Sequence, residues 1–180
     1  GGDVKFDVRY ILLLRSIRPL KLYVHKIFWL RIANKPFSMK QLDDYETHFT
    51  VMNYRANTHL RQMDCETFIT MYNEQHAQNG ETWSVIEQRI FQMFRELFHC
   101  ATIEEPPLGI GSCLSSRALY AADLILELNN NNEIQPKLLE VNFAPDCDRA
   151  CTSHPNFYNQ VFNVLFRDLI DDQNVIDISV

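Results

Sequence analysis

The sequence predicts an α+β fold, a mainly antiparallel sheet with helices packed against it. Three observations lead there. Residues 4–14 and 20–33 are strand-like runs rich in Val, Ile and aromatic residues, separated only by the turn "RSIRP". Residues 117–128 and 135–143 form a second such pair, joined by "NNNNE". Between the pairs, from Cys65 to about Thr102, the apolar period lengthens from two residues to three or four. Strands joined by short turns pair antiparallel, because a parallel pair needs a long crossover.

Each element follows from its own residues. "VKFDVRYILLL" is a strand, and 20–33 continues as a second one, bent or interrupted. "SMKQLDDY" reads as a short helix with Ser38 as its N-cap. Phe68, Ile69 and Tyr72 point to a helix, and Ile86, Ile90, Phe94, Leu97 and Phe98 make the apolar stripe of a longer one after Ser84. "EEPPLGIGSC" is a loop. The four-Asn run is a hairpin turn. A final helix starts near Pro155, which suits a first-turn position, and buries Phe157, Val161, Val164, Leu165 and Leu169.

At 180 residues with 46 % apolar residues, the chain has the length and composition of one globular domain. Its apolar runs, such as "YILLL" and "YAADLIL", are too short to span a bilayer, so no membrane role is expected. "GGDVKFDVRY" carries no signal-peptide pattern and opens straight into a strand. Five cysteines, an odd and scattered set, suit a reducing, cytoplasmic compartment. The net charge of −6 argues against general nucleic-acid binding. That charge is unevenly spread. Residues 1–40 hold nine Lys and Arg against Asp3 and Asp7, a balance of +7, and the remainder carries −13. The basic end could face phosphates or an acidic partner, or be a solvated ribbon.

The stretch "KLLEVNFAPDCD", residues 137–148, places Glu140 and Asn142 two apart in an apolar strand, hence on one face. Centring the hairpin between Asn131 and Asn132 sets Asp123 opposite Glu140 and Ala121 opposite Asn142. One face then reads Ala121, Asp123, Ile125, Leu138, Glu140 and Asn142; the other reads Ala122, Leu124, Leu126, Leu139 and Val141, a core face. Opposed carboxylates repel, and a divalent cation would offset that. Mg²⁺ takes oxygen ligands, usually one or two carboxylates with phosphates and water, so Asp123, Glu140 and Asn142 form a candidate metal platform. The competing reading is a solvated acidic face whose register is shifted by two. In "KFDVR", Lys5, Asp7 and Arg9 likewise share a face, either a nucleotide-holding row or an edge-strand charge ladder. Cys147, Cys151 and His154 have the spacing C-x3-C-x2-H, which lacks a fourth zinc ligand.

Taken in order, "KFDVRY", "LYVHKIFWLRIA", "HFTVMNY", "YAADLIL" and "LLEVNFAPD" resemble the tubulin–tyrosine ligase-like family along essentially the whole chain. The resemblance implies that 1–180 is the C-terminal part of an ATP-grasp domain whose upstream lobe lies outside this chain. Such enzymes bind ATP and Mg²⁺, activate a carboxylate as an acyl phosphate and let an amine attack it. They add amino acids to the acidic tails of tubulin, the partner the resemblance implies. It further implies a cytoplasmic site at microtubules or centrosomes, with a nuclear pool. Carried over by motif, Lys5 and Asp7 would contact ATP, Arg9 and Arg31 would hold phosphate or acyl phosphate, and Asp123, Glu140 and Asn142 would hold Mg²⁺. Two departures stand out. "HFTVMNY" is two residues longer than the family's "HLTNY"-type segment, displacing Asn53 from Thr50, and Asp146 and Asp148 add negative charge after "EVN". A catalytic ligase and a non-catalytic, partner-binding pseudoligase therefore both stay open.

Overall fold

The computed structural model describes residues 3–51, 61–76, 80–131, 133–170 and 173–179. Asn53 lies outside them. Two long strands, β1 (Phe6–Ile17) and β2 (Leu20–Ile32), form a hairpin, and β4 (Ala118–Leu128) and β5 (Ile134–Phe143) form another. β1 and β4 pair antiparallel in the centre, and β3 (Arg61–Asp64) and β6 (Val175–Asp177) pair with opposite ends of β2. The sheet order is β3-β2-β1-β4-β5, every pairing antiparallel. The expected mixed fold with an antiparallel sheet is present. β2 runs through as one strand, and the expected bend is a bulge that shifts its register on β1 between Tyr10↔Phe28 and Leu12↔Val24.

Alternation along β1 explains the layering. Val8, Tyr10, Leu12 and Leu14 point to one face, where α2 (Cys65–His76) and α3 (Trp83–Ile103) bury Trp83, Ile86, Ile90, Phe94 and Phe98 against them. Asn73 Oδ1 accepts the backbone N–H of Trp83 at 2.7 Å, so α2 supplies the side chain that caps α3. Ile11 and Leu13 point to the opposite face. There α4 (Asp148–Ser153) and α5 (Phe157–Phe162), the latter continued by a π-helical turn at Asn163–Arg167, cover them with Cys147, Phe157, Val161, Val164 and Leu165. This second helical layer covers only the middle of its face. The remainder of that face, toward Asp7 and Arg9, is polar.

Several local expectations are corrected. Residues 38–44 form no helix. Ser38 Oγ accepts the Lys40 N–H at 3.2 Å in a turn, and the short helix α1 (Tyr45–His48) is capped by Asp44, which accepts the Glu46 N–H at 3.1 Å. Asp44 is favoured because Lys35 ties Asp44 and Glu46 together at 2.8 and 2.9 Å. Leu169 is half exposed, since Asp168 takes a left-handed conformation at φ 58° and ends the helix before it. Among the described residues no helix is long and apolar enough to cross a membrane, and no group of three His, Cys, Asp or Glu could hold a metal.

Candidate functional site

Four charged side chains meet on the polar part of the sheet, and the pairing register brings them together. On β1 and β2, Asp7 is paired with Arg31 and Arg9 with Trp29; on β1 and β4, Arg9 is paired with Asp123. Opposed residues project to the same side, so Asp7, Arg9, Arg31 and Asp123 share one face across three strands. Arg9 grips Asp123 through Nε–Oδ1 and Nη2–Oδ2, both 2.6 Å, a bidentate pair. Arg31 donates Nε to Asp7 Oδ1 at 2.6 Å and reaches Asp123 Oδ2 with Nη2 at 2.8 Å. The Thr50 hydroxyl donates to the other oxygen of Asp7.

Both carboxylates are almost wholly buried, Asp7 3 % and Asp123 1 % exposed. Desolvation alone would raise the Asp123 pKa. The Arg9 hydrogen bonds and the charges of Arg31 and Arg9 outweigh it and hold the carboxyl below its ordinary range. For Arg31, burial opposes the charge while the hydrogen bond and charge of Asp7 favour it more, so its pKa is raised.

β5 adds the remaining groups. Asp123 lies directly opposite Glu140 and Ala121 opposite Asn142. Glu140 is exposed, and its Oε1 accepts the Asn142 side-chain N–H at 2.8 Å. The register then shifts: Leu124 pairs with Leu138, leaving Leu139 as the extra residue. The expected face is thus right for Asp123, Glu140 and Asn142, and for Leu124 and Leu126 of β4, but inverted on β5 toward the turn. Leu138 packs on the first core, while Leu139 is 53 % exposed. Lys5 stands just ahead of β1, exposed, its carbonyl accepting the Ala33 N–H at 2.9 Å.

The opposed carboxylates of Asp123 and Glu140 do not stand unbalanced, because Arg9 and Arg31 neutralise the buried one. Sequence reasoning assigned these arginines to an incoming anion and did not foresee that they would hold Asp123. It also weighed Thr50 only for the length of its segment, although Thr50 completes the Asp7 shell. In chemical type the donor set suits Mg²⁺, with both Asp123 oxygens now taken by Arg9 and Arg31. Two carboxylates and an amide oxygen on adjacent rigid strands match the sparse protein ligation this ion accepts when phosphates and water complete its shell.

Residues 2–177 match the tubulin-tyrosine ligase family. The chain belongs to this family. It is 50 % identical over 93 % of its length to human tubulin–tyrosine ligase-like protein 12, covering 26 % of that relative. It is 41 % identical over 97 % of its length to tubulin–tyrosine ligase-like protein 12 of Caenorhabditis elegans, again covering 26 % of it. A more distant relative is tubulin glycylase 3F of Tetrahymena thermophila, 23 % identical over 90 % of this chain and 18 % of that protein. The chain thus spans about a quarter of the length of the first two relatives. The chain is also 24 % identical, over 80 % of its length, to a mouse protein named as a probable tubulin polyglutamylase, of which it covers 30 %.

Proposed function

We propose that this chain is the ATP- and Mg²⁺-binding part of an ATP-grasp ligase that modifies the acidic tails of tubulin. The observation that carries the proposal is the meeting of Asp123 and Glu140 across β4 and β5, with Asn142 beside them and Arg9 and Arg31 on the same carboxylate. Family members named as ligase, glycylase and polyglutamylase differ in the amino acid their names imply and share tubulin as the object. That breadth leaves the transferred amino acid open and supports the substrate class.

In this reading Asp123, Glu140 and the Asn142 carbonyl hold Mg²⁺. When bound, the ion supplies positive charge that screens the triphosphate from the surrounding carboxylates. Arg9 and Arg31, once exchanged from Asp123, would hold phosphoryl oxygens and stabilise the negative charge of a phosphate passing from ATP to the substrate carboxylate. Asp7, fixed by Thr50, keeps Arg31 aimed across the site when Asp123 is taken by the metal. Lys5, exposed and without an ion pair among the described residues, supplies a further cation for the nucleotide.

A second reading has its own support. The guanidinium groups of Arg9 and Arg31 are already satisfied by Asp123 and Asp7, and Asp146 adds an exposed acid at the metal end, as in a pseudoligase that binds partners without turnover. Glu140→Ala in the full-length protein separates the readings when nucleotide binding and labelled amino-acid incorporation are measured together. Loss of both supports the ligase. Loss of binding with no incorporation by the parent supports the pseudoligase. Unchanged nucleotide binding removes Glu140 from the site.

A further inference from the structure

Cys147 and Cys151 lie on the face of the sheet that carries the candidate site and take no part in the proposed chemistry. Cys147 is the N-cap of α4 and 1 % exposed; Cys151 follows one turn later, partly exposed, against the same second core. The Cys151 N–H donates to the Cys147 carbonyl at 3.1 Å. The Cys147 thiol donates weakly to the Pro145 carbonyl at 3.5 Å. Burial, with the nearness of Cys151 and Asp146, pushes that thiol up to about 11, so it stays protonated at neutral pH. A zinc site would need more ligands, and no group of three His, Cys, Asp or Glu forms there among the described residues. What remains is the chemistry of two neighbouring thiols.

Residues one helical turn apart have Cα atoms roughly 6 Å apart and Cβ atoms about 5–6 Å apart. A disulfide accepts that Cα separation but needs Cβ atoms within about 3.5–4.5 Å. Closing a bridge here therefore draws in the first turn of α4 by roughly 1 Å or more. α4 offers little resistance. It has six residues and an N-cap without a side-chain hydrogen bond, and so short a helix has little stability of its own. Its seat is coupled to the site. Ala150, 2 % exposed, shares the second core with Ile11 and Ala121, and Ala121 is paired with Asn142. Only four residues separate Asn142 from Cys147, and Arg9 lies near enough for its charge to act on the Cys147 thiol.

We infer that Cys147 and Cys151 form a redox switch, in which a peroxide joins them in a disulfide that shifts α4 and weakens the candidate site. Its effect on nucleotide rests on the proposed nucleotide role; formation of the bridge does not. Cys151, the more accessible thiol, reacts first. Its thiolate attacks one peroxide oxygen, the O–O bond breaks, and the departing hydroxide takes a proton to become water, leaving a sulfenic acid on Cys151. The Cys147 sulfur then displaces that hydroxyl and gives up its own proton, releasing a second water. Two thiols and one hydrogen peroxide thus give one disulfide and two waters, the sulfurs losing the two electrons that the peroxide gains. A dithiol reductant reverses the change. In a reducing compartment a bridge of this kind is transient, which suits a sensor and not a structural staple.

The test treats the full-length protein with hydrogen peroxide, blocks the remaining thiols and maps its peptides by mass. A Cys147–Cys151 bridge is expected, lighter by about 2 Da than the dithiol and opened by dithiothreitol. Binding of a fluorescent, non-hydrolysable ATP analogue should weaken roughly tenfold on oxidation and recover on reduction. Cys151→Ser and Cys151→Ala should bind the analogue as the reduced parent does and lose the response to peroxide. Those variants separate the bridge from oxidation of the exposed thiols Cys100 and Cys113. Absence of the bridge overturns the inference, as does a bridge that leaves the affinity of a binding parent unchanged. An equal loss of affinity in the Cys151 variants overturns it too. If the reduced parent binds no analogue, the nucleotide reading fails by itself. Faster amide hydrogen exchange over residues 143–154 on oxidation then upholds the switch, and unchanged exchange overturns it.

Discussion

Asp123 and Glu140 face each other across β4 and β5, yet their charges are balanced by different means. Asp123, buried, is held by two guanidinium groups, while exposed Glu140 receives, among the described residues, only the amide of Asn142. Removing the two charges should therefore have opposite consequences. Asp123→Asn leaves Arg9 and part of Arg31 unpaired at a buried position, at a cost of about 3 kcal/mol in urea unfolding. Glu140→Gln should stay within about 0.5 kcal/mol of the parent and weaken nucleotide binding instead. Equal destabilisation by both would contradict this division.

The depressed Asp123 pKa gives this contribution a pH window. A carboxylate whose folded pKa lies below its unfolded value, about 3.9, stabilises fully above that value. The contribution is lost as pH falls through the lower, folded pKa. Stability measured from pH 6 downward should fall less steeply in Asp123→Asn than in the parent below about pH 4. Parallel acid limbs would show that Asp123 is not a source of the acid sensitivity.

Thr50 offers a narrower test. Its hydroxyl is the partner of the Asp7 oxygen that Arg31 leaves free. Thr50→Val keeps the shape and removes the donor, costing about 1.5 kcal/mol, whereas Thr50→Ser keeps the donor and should lose less. Chemical denaturation of the two variants decides. A serine more damaging than valine would mean that the methyl group, and not the hydroxyl, is what matters.

What the sequence made legible divides along physical lines. Period-two alternation in "KFDVRYILLL" and the short Asn-rich turn set strand direction and face, so the meeting of Asp123 with Glu140 followed from counting inward from the turn. Counting assumes an unbroken ladder, however; the pairs nearest the turn, such as Leu128 with Ile134, lie one residue off the counted register, and the extra residue at Leu139 restores it at Asp123 and Glu140. β3 and β6 escaped notice because four- and three-residue strands carry too little pattern and are defined by their pairing with β2. The Arg31–Asp123 bond joins residues on strands that never pair, through β1 between them. No local spacing encodes such a contact. It became visible only when the order β2-β1-β4 was known.

On the opposite face, Glu87 sits partly buried beneath the sheet, accepting the Tyr10 hydroxyl at 3.0 Å. Burial raises its pKa, and the Tyr10 hydrogen bond and the charge of Lys26 offset this only in part. A carboxyl with a raised folded pKa is a liability when ionised, so stability should increase as pH falls from above that pKa toward the unfolded value. Glu87→Gln keeps an acceptor for Tyr10 and removes the charge. It should raise the melting temperature by roughly 2 °C at pH 7 and give no gain near pH 4. A gain that persists unchanged at pH 4 would point to packing instead of charge.

The last prediction concerns order of binding, and rests on the proposed nucleotide role. Both Asp123 oxygens are occupied by Arg9 and Arg31, so a cation arriving alone must displace guanidinium groups and then sit beside them uncompensated. A polyphosphate arriving alone meets Asp7, Asp123 and Glu140. Arriving together, they would exchange partners: the cation would take the carboxylates and the phosphates the arginines. Each therefore improves the binding of the other by the same factor. Manganese, followed by its paramagnetic resonance signal, should bind the parent weakly without nucleotide and at least about tenfold more tightly with a non-hydrolysable ATP analogue. Arg9→Met, which releases Asp123 Oδ1 and leaves only Arg31 on Oδ2, should improve nucleotide-free manganese binding while weakening binding of the analogue. Tight manganese binding by the parent without nucleotide would show that the arginine–aspartate contacts do not gate the site.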